Sequence, residues 1–276
     1  MFDLVIFKTI AVLVLGLIFG SFAGALVARQ GVGKRQRSYC DSCGKILAWY
    51  DNVPVLSFIY LRGRCRFCRQ AIPRWYPMIE VVMAAVFLLT ARQTGFLTGL
   101  PSWTVIAETI FWLSLAFILV TILFWDWRYY IIPDGLVVAG LILIGWRLLY
   151  QAYFYWHNLN SFTILTTNFP SIRESLLGAL LISGFFYFLF TWSQGRWIGG
   201  GDVKLGFLLG WAVGWRDGLL LLALAYILGA GVAVYLLLSK RAGWKSRMPF
   251  GPFLVIAYFL VLWWGNWLWS WLGVSG

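Results

Sequence analysis

Four cysteines form two C-x-x-C pairs that could bind one metal ion together. Cys40 and Cys43 make the first pair, Cys65 and Cys68 make the second, and 21 residues separate the pairs. Each C-x-x-C turn can aim two thiolates at one point, and two turns complete the tetrahedral shell of a structural zinc ion. Disulfides or free thiols are the alternatives, but a reducing cytoplasm opposes disulfides and basic neighbours such as Lys45 favour thiolates. The pattern favours a structural zinc site, since four cysteines leave no coordination position for water.

Three aspartates lie at the ends of apolar segments. Asp126 follows Phe124-Trp125, Asp134 follows Ile132-Pro133, and Asp202 follows three glycines. Carboxylates near membrane depth are costly, so each is a candidate for function. Two of them brought together could share one proton: an ionised member would activate water while its protonated partner polarises a carbonyl. Such a pair titrates as a unit, so no separate pKa is assigned to either member.

Simpler roles are also open for these aspartates. Asp202 could cap a helix, and Asp126 and Asp134 could flank a turn. The glycines at 199–201 would let a backbone or an extended substrate approach Asp202 closely. An aspartate just after a proline at a helix start is a common turn arrangement, so the simpler role has most weight at Asp134.

The composition indicates what kind of element carries these residues. Of the 276 residues 61% are hydrophobic and only 12% are charged, against about 25% charged in ordinary soluble domains. This excludes a soluble fold of this size, a disordered chain, and a small disulfide-stapled module. The chain is predicted to be an all-α polytopic membrane protein.

About eight transmembrane helices are predicted, because a helix needs about 20 apolar residues to cross the hydrocarbon core. Asp3 and the length of the first apolar run favour a retained helix over a signal peptide. The short segment before the Trp215–Gly218 break could instead join the following one, which would give seven spans. The predicted spans are 4–27, 78–93, 104–125, 131–151, 172–193, 203–214, 218–238 and 252–272.

The net charge of +12 is interpreted as a topology signal. Ten of the 22 basic residues lie between Arg29 and Arg74, and basic loops beside spans mark the cytoplasmic side and contact anionic lipid headgroups. With the N-terminus outside, 17 of the 22 fall on the inner side. We therefore expect membrane lipids and no nucleic acid as partners.

Segment 152–171 is expected outside at the interface, with His157 as an interface residue and not a ligand.

Several motifs, in this order along the chain, resemble the bacterial prepilin peptidases. Gly20-Ser21-Phe22 fits the first span of that family, and the segments around both cysteine pairs resemble its cytoplasmic loop. The match continues into the second span through Arg74-Trp75-Tyr76-Pro77-Met78-Ile79-Glu80. Asp126 with Ile132-Pro133-Asp134, and Gly199-Gly200-Gly201-Asp202-Val203-Lys204, resemble the two catalytic blocks, the second being the family's G-x-G-D signature.

The resemblance implies a membrane aspartic peptidase of the bacterial cytoplasmic (inner) membrane, with the large loop and active site facing the cytoplasm. Its substrate would be a prepilin or pseudopilin of a type IV pilus, type II secretion or competence system, cut just after a glycine. Many members then N-methylate the new N-terminus with S-adenosylmethionine. Carried over, Asp126 and Asp202 are the catalytic pair, with Asp134, Gly199, Gly201 and Lys204 in support. Cys40, Cys43, Cys65 and Cys68 are the metal ligands.

The resemblance implies two domains. Residues 1–93 would contain the first two spans, the tetracysteine loop at 28–77 and the methyltransferase part. Residues 104–272 would form a six-helix peptidase region. Asp41 and Ala23–Leu26 depart from the family pattern, and both fall in the methyl-transfer half. The S-adenosylmethionine site has no recognisable motif; Glu80 and the Gly63–Arg64 turn are weak candidates that more often serve structure. The alternatives are a peptidase without methyl transfer and a metal- or proton-coupled membrane transporter.

Overall fold

The computed structural model describes residues 2–29, 38–40, 42–98, 102–156, 169–241, 243 and 246–273. Throughout this part the regular structure is helical, and β pairing is limited to two isolated antiparallel bridges. A 3₁₀ turn at Trp49–Asn52 lies between the two cysteine pairs. The α-helices are α1 (Phe2–Ala28), α2 (Leu56–Tyr60), α3 (Trp75–Gln93), α4 (Trp103–Tyr129), α5 (Asp134–Trp156), α6 (Ile172–Ser193), α7 (Gly200–Leu238) and α8 (Gly251–Trp271).

The helices confirm the predicted all-α membrane fold. Seven of those described, all except α2, are long and apolar enough to cross a membrane. The loop that holds the cysteines joins α1 to α3, the first two of these seven. The chain is a multi-pass membrane protein.

Most predicted spans correspond to one helix each, and the differences are local. α3 begins at Trp75, three residues before the predicted start, because proline is tolerated in the first turn of a helix. α5 continues to Trp156, into the stretch predicted to be interfacial. The predicted spans 203–214 and 218–238 both lie in α7. His157 and Asp41 lie outside the described residues.

The chain divides into two compact units, unit 1 (Met1–Thr121) and unit 2 (Ile122–Gly276). Unit 1 holds the tetracysteine loop together with α1 and α3. Unit 2 holds all three candidate aspartates. The division falls within α4.

In unit 1, glycines at every fourth position of α1 let it pack closely against α3. A Cβ atom added at Gly16 would lie 2.5 Å from Cα of Ala84, and one at Gly20 would lie 2.5 Å from Cα of Glu80. Gly24 continues this face of α1 against Ile79. Small residues at this spacing allow two membrane helices to approach backbone to backbone. The contact places Ser21 beside Glu80 at the base of the cysteine loop.

In unit 2, α6 and α7 pack through glycines in the same way. A Cβ atom added at Gly178 of α6 would lie 2.5 Å from the carbonyl oxygen of Gly210 and 2.4 Å from the carbonyl carbon of Gly214. Such contacts exclude any side chain at these positions. The backbones of α6 and the first part of α7 are therefore in direct contact.

α7 reverses direction at Gly214, which has φ 79° and ψ −179° inside an otherwise helical stretch. Added Cβ atoms at Gly206 and Gly218 would both contact the Ile182 side chain, at 3.1 and 2.7 Å. In a straight helix these two positions would be about 18 Å apart, too far to share one side chain. α7 is thus a hairpin of two helical segments, 200–213 and 215–238. The turn lies one residue before the break expected at Trp215–Gly218, since glycine adopts positive φ without steric penalty.

Candidate active site and metal centre

Asp126 is held by the N-terminus of α8. It lies near the end of α4, its side chain is buried, and its Oδ2 accepts a hydrogen bond of 3.0 Å from the backbone N–H of Gly251. The first N–H groups of a helix have no partner within the helix and attract negative charge. The N-terminus of α8 therefore fixes one oxygen of the Asp126 carboxylate.

Gly251 is a site residue that the sequence pattern does not reveal. A Cβ atom at this position would lie 2.6 Å from Oδ2 of Asp126, so only glycine lets the backbone come this near to the carboxylate. The available signal was Pro249-Phe250-Gly251-Pro252 just before the last span. Proline in the first turn marks a helix start, but nothing in that pattern indicates which carboxylate the helix faces.

Asp202 lies in the first turn of α7 and is held by its own helix N-terminus. Its Oδ2 accepts a hydrogen bond of 3.2 Å from the backbone N–H of Gly199. Gly201 packs against the segment between α4 and α5, because a Cβ atom there would lie 3.2 Å from Cβ of Ile132. The glycines before Asp202 thus serve two purposes: Gly199 binds the carboxylate and Gly201 permits close packing.

The two carboxylates lie close enough together to interact electrostatically. Asp126 is 5% exposed and Asp202 9% exposed, so each charge is only weakly screened by solvent. Each Oδ2 is held by a glycine N–H, and neither Oδ1 accepts a hydrogen bond from the residues that the structure describes. The arrangement leaves one oxygen of each aspartate available for water, a proton or a substrate carbonyl.

Asp134 and Lys204 form an ion pair of their own. Nζ of Lys204 lies 2.6 Å from Oδ1 of Asp134, and both side chains are more than half exposed. Exposed ion pairs of this kind contribute little to stability. The pair links the start of α5 to the first turns of α7, close in sequence to Asp202.

Aromatic rings surround the start of α8. The ring of Phe250 lies 5.1 Å from that of Tyr226 and 5.9 Å from that of Phe186. Tyr226 also interacts electrostatically with Asp202. These rings were not predicted as site residues, because hydropathy locates them in spans without showing which helices meet.

The tetracysteine cluster in unit 1 fits a zinc site. The four Sγ atoms of Cys40, Cys43, Cys65 and Cys68 all lie within 4.8 Å of one another, and those of Cys40 and Cys68 are 3.8 Å apart. A zinc ion with Zn–S distances of about 2.3 Å requires Sγ atoms about 3.8 Å apart. The backbone N–H of Cys68 stabilises the Cys65 thiolate and lowers the pKa of Cys65 to about 7.

The two cysteine turns have the same backbone design. The N–H of Cys40 donates to the carbonyl of Lys45, and the N–H of Gly44 donates to the carbonyl of Cys40. In the second turn the N–H of Cys65 donates to the carbonyl of Gln70, and the N–H of Arg69 donates to the carbonyl of Cys65. The fourth position after the cysteine has positive φ in both turns, as Gly44 in one and Arg69 in the other. Two matched turns therefore present the four thiols.

Comparison with known proteins gives matches along most of the chain. Residues 113–234 match the type IV leader peptidase family, and residues 14–94 match the bacterial peptidase A24 N-terminal domain. A prepilin leader peptidase/N-methyltransferase of Pseudomonas putida is 32% identical over 232 residues, covering 83% of this chain and 72% of that protein. The chain belongs to the type IV leader peptidase family.

Other members of the type IV leader peptidase family match over a similar or longer range. The prepilin leader peptidase/N-methyltransferase of Aeromonas hydrophila is 30% identical over 85% of this chain and 74% of its own length. That of Stutzerimonas stutzeri is 28% identical over 92% of this chain and 90% of its own length. No solved structure shows significant similarity to this chain. The predicted enzyme class, a membrane aspartic peptidase, is confirmed by family membership.

Proposed function

We propose that this protein removes the N-terminal leader from type IV prepilin-like proteins and then N-methylates the new N-terminus. The observation that carries the peptidase part is the pair of buried carboxylates, Asp126 and Asp202, each held by a glycine N–H at a helix N-terminus. Relatives that match over most of the chain are named for both activities.

In the proposed cleavage step, the two aspartates hold a water molecule between their free Oδ1 atoms. The ionised aspartate takes a proton from this water as it attacks the scissile carbonyl, while the protonated aspartate donates a hydrogen bond to the carbonyl oxygen. A proton then passes to the leaving amine as the C–N bond breaks. Because the Oδ2 atoms are fixed by backbone N–H groups, the reacting oxygens need little reorganisation.

We place the active site at the cytoplasmic face of the bacterial inner membrane. Arg128, Arg196, Lys204, Lys240 and Arg247 lie near the helix ends that border Asp126, Asp202 and Gly251. Basic residues concentrate in cytoplasmic loops of membrane proteins. The reversal of α7 supports this placement, because the next helix, α8, begins beside Asp126 and so on the same side of unit 2 as the start of α7.

We also propose that the tetracysteine cluster holds a structural zinc ion. The donor set, four thiols at near-tetrahedral separations, suits zinc. The ion would join the two cysteine turns, which lie 21 residues apart in sequence, and thereby fix the loop between α1 and α3.

N-methylation requires a methyl donor. S-adenosylmethionine, when bound, supplies an electrophilic methyl group for the amine that cleavage releases. The role of this chain is to bind the donor beside that amine.

Leader cleavage by the purified full-length protein tests the proposal. We expect the wild type to shorten a type IV prepilin, and Asp126→Asn and Asp202→Asn each to reduce the rate by at least about a thousandfold. Both changes preserve side-chain volume, and size-exclusion profiles establish that the variants fold. Wild-type rates in either variant would refute the two-aspartate assignment. If the wild-type protein does not cleave the prepilin, the proposed activity is refuted and the transporter alternative remains.

A further inference from the structure

Unit 1 contains a cavity that the peptidase mechanism does not use. It has a volume of about 600 Å³ and lies among α1, the cysteine loop and the start of α3. Small-molecule sites usually measure about 300–1,000 Å³. Its wall includes Ser21, Cys40, Cys65, Tyr76 and Glu80, so it combines apolar rings with a few polar groups.

Glu80 places a carboxyl group in this cavity, with no basic side chain paired to it in the described part of the chain. Its Oε2 accepts a hydrogen bond of 2.7 Å from the backbone N–H of Val55, and Ser21 interacts with the same carboxylate. No ion-pair partner for Glu80 occurs among the residues that the structure describes. A carboxylate in a largely apolar wall is costly unless a cation joins it. Glu80 is therefore poised to receive a positively charged ligand group.

The second carboxylate of the cavity is already neutralised. Asp51 is paired with Arg66, with 2.8 Å between Nη2 of Arg66 and Oδ1 of Asp51, and its Oδ2 accepts from the N–H of Ala48. The guanidinium of Arg66 also lies 4.5 Å from the centre of the Tyr50 ring. This pair has a structural role in the loop, which leaves Glu80 as the acidic group open to a ligand.

A basic group lies elsewhere on the cavity wall. Arg29, exposed at the end of α1, has no ion-pair partner in the described part of the chain. A carboxylate and a guanidinium in one cavity, neither in an ion pair with a described residue, suit a ligand that carries both signs of charge. The rings of Tyr39, Phe58 and Tyr76 add surfaces for stacking and for cation–π contact.

We propose that this cavity binds S-adenosylmethionine, with Glu80 facing its positively charged groups and Arg29 facing its carboxylate. The ligand has a sulfonium, an ammonium, a carboxylate and an aromatic base, which match the groups described above. This inference rests on the proposed methyl transfer. Because Cys40 and Cys65 form part of the wall, the metal centre would help to shape the donor site.

Equilibrium dialysis of full-length, zinc-loaded protein with tritiated S-adenosylmethionine tests the inference. Glu80→Gln keeps the size of the side chain and one oxygen that can accept from the N–H of Val55, but it removes the charge. Ala25→Phe fills the cavity without changing charge. We expect saturable binding by the wild type and a dissociation constant raised at least about tenfold in each variant. Asp3→Asn, an exposed carboxylate at the opposite end of α1, is the matched control and should bind like the wild type.

Zinc content and thermal unfolding show whether the variants keep the structure of unit 1. Wild-type affinity in both Glu80→Gln and Ala25→Phe would overturn the inference, because the donor would then bind elsewhere. The absence of saturable binding by wild-type protein that still cleaves prepilin would also overturn it and leave a peptidase alone. Failure of cleavage in the wild type would refute the proposed function separately, whatever the binding result.

Discussion

The backbone N–H of Gly251 donates a 3.0 Å hydrogen bond to the carboxylate of Asp126, which lies 125 residues earlier in the chain. The bond joins the end of α4 to the start of α8. Asp202 has the corresponding bond from Gly199 within its own helix turn. Both aspartates are thus held by a backbone N–H at a helix N-terminus. For Asp126 this N–H comes from a distant segment, and for Asp202 it comes from the adjacent turn.

This bond predicts that Gly251→Ala impairs cleavage. The new methyl group would lie 2.6 Å from Oδ2 of Asp126, so the carboxylate or the start of α8 must move. A displacement of about 1 Å at a catalytic group can reduce the rate about a hundredfold. We expect kcat to fall by that order, measured as prepilin cleavage at saturating substrate.

Gly145→Ala is the matched control for this substitution. Gly145 lies in α5 with no atom within 4 Å of an added Cβ, and alanine favours a helix over glycine. Equal cleavage rates in Gly251→Ala and Gly145→Ala would show that the contact with Asp126 has no catalytic importance.

The close packing of α6 on α7 predicts that Gly178→Ala destabilises unit 2. Its Cβ would lie 2.5 Å from the carbonyl oxygen of Gly210, and backbone atoms cannot rotate away as side chains can. Overpacking of this kind costs about 1–3 kcal/mol, which should lower the midpoint of thermal unfolding in detergent. Gly184→Ala lies in the same helix but meets no atom within 4 Å. The prediction fails if both variants unfold at the same temperature.

The cysteine cluster predicts one zinc ion per chain in protein purified under reducing conditions. Cys43→Ser and Cys68→Ser each remove one of four thiolate ligands and should lower the bound zinc well below one equivalent. Elemental analysis of the dialysed proteins measures this. Wild-type protein with far less than one zinc per chain would contradict the assignment.

The ion pair between Asp134 and Lys204 predicts a weak coupling. Both side chains are more than half exposed, and pairs of this kind are worth about 0.2–1 kcal/mol. A double-mutant cycle with Asp134→Asn and Lys204→Met should give a coupling free energy of unfolding in that range. A coupling above about 2 kcal/mol would show that the pair is shielded from solvent in the membrane.

The spans and the cysteine cluster could be predicted from sequence because each depends on a local pattern. Hydropathy locates an apolar helix without knowledge of its neighbours, and a C-x-x-C turn presents its two thiols whatever surrounds it. Asp126 and Asp202 stood out because a carboxylate at the end of an apolar segment is costly unless it has a function.

The contacts between distant helices could not be predicted in this way. Nothing near Gly251 indicates that its N–H binds Asp126, and nothing near Glu80 indicates that Val55 donates a hydrogen bond to it. The reversal in α7 was expected at Trp215–Gly218, where the charged residues lie, but it occurs at Gly214. The turn occurs where the backbone must adopt a positive φ, which glycine does readily, and not where the charged residues lie.

The hairpin in α7 has a consequence for the surrounding bilayer. Segment 200–213 rises only about 21 Å, whereas the hydrocarbon core is about 30 Å thick. Either the hydrocarbon core becomes thinner beside this segment, or the turn at Gly214 lies within the core. In the second case Arg216 and Asp217 would face hydrocarbon. Trp269 of α8 accommodates both side chains: its Nε1 donates to Oδ1 of Asp217 at 2.7 Å, and the guanidinium of Arg216 lies 5.0 Å from its ring centre. These contacts within the protein offset the cost of placing the two charged side chains at the depth of the hydrocarbon core.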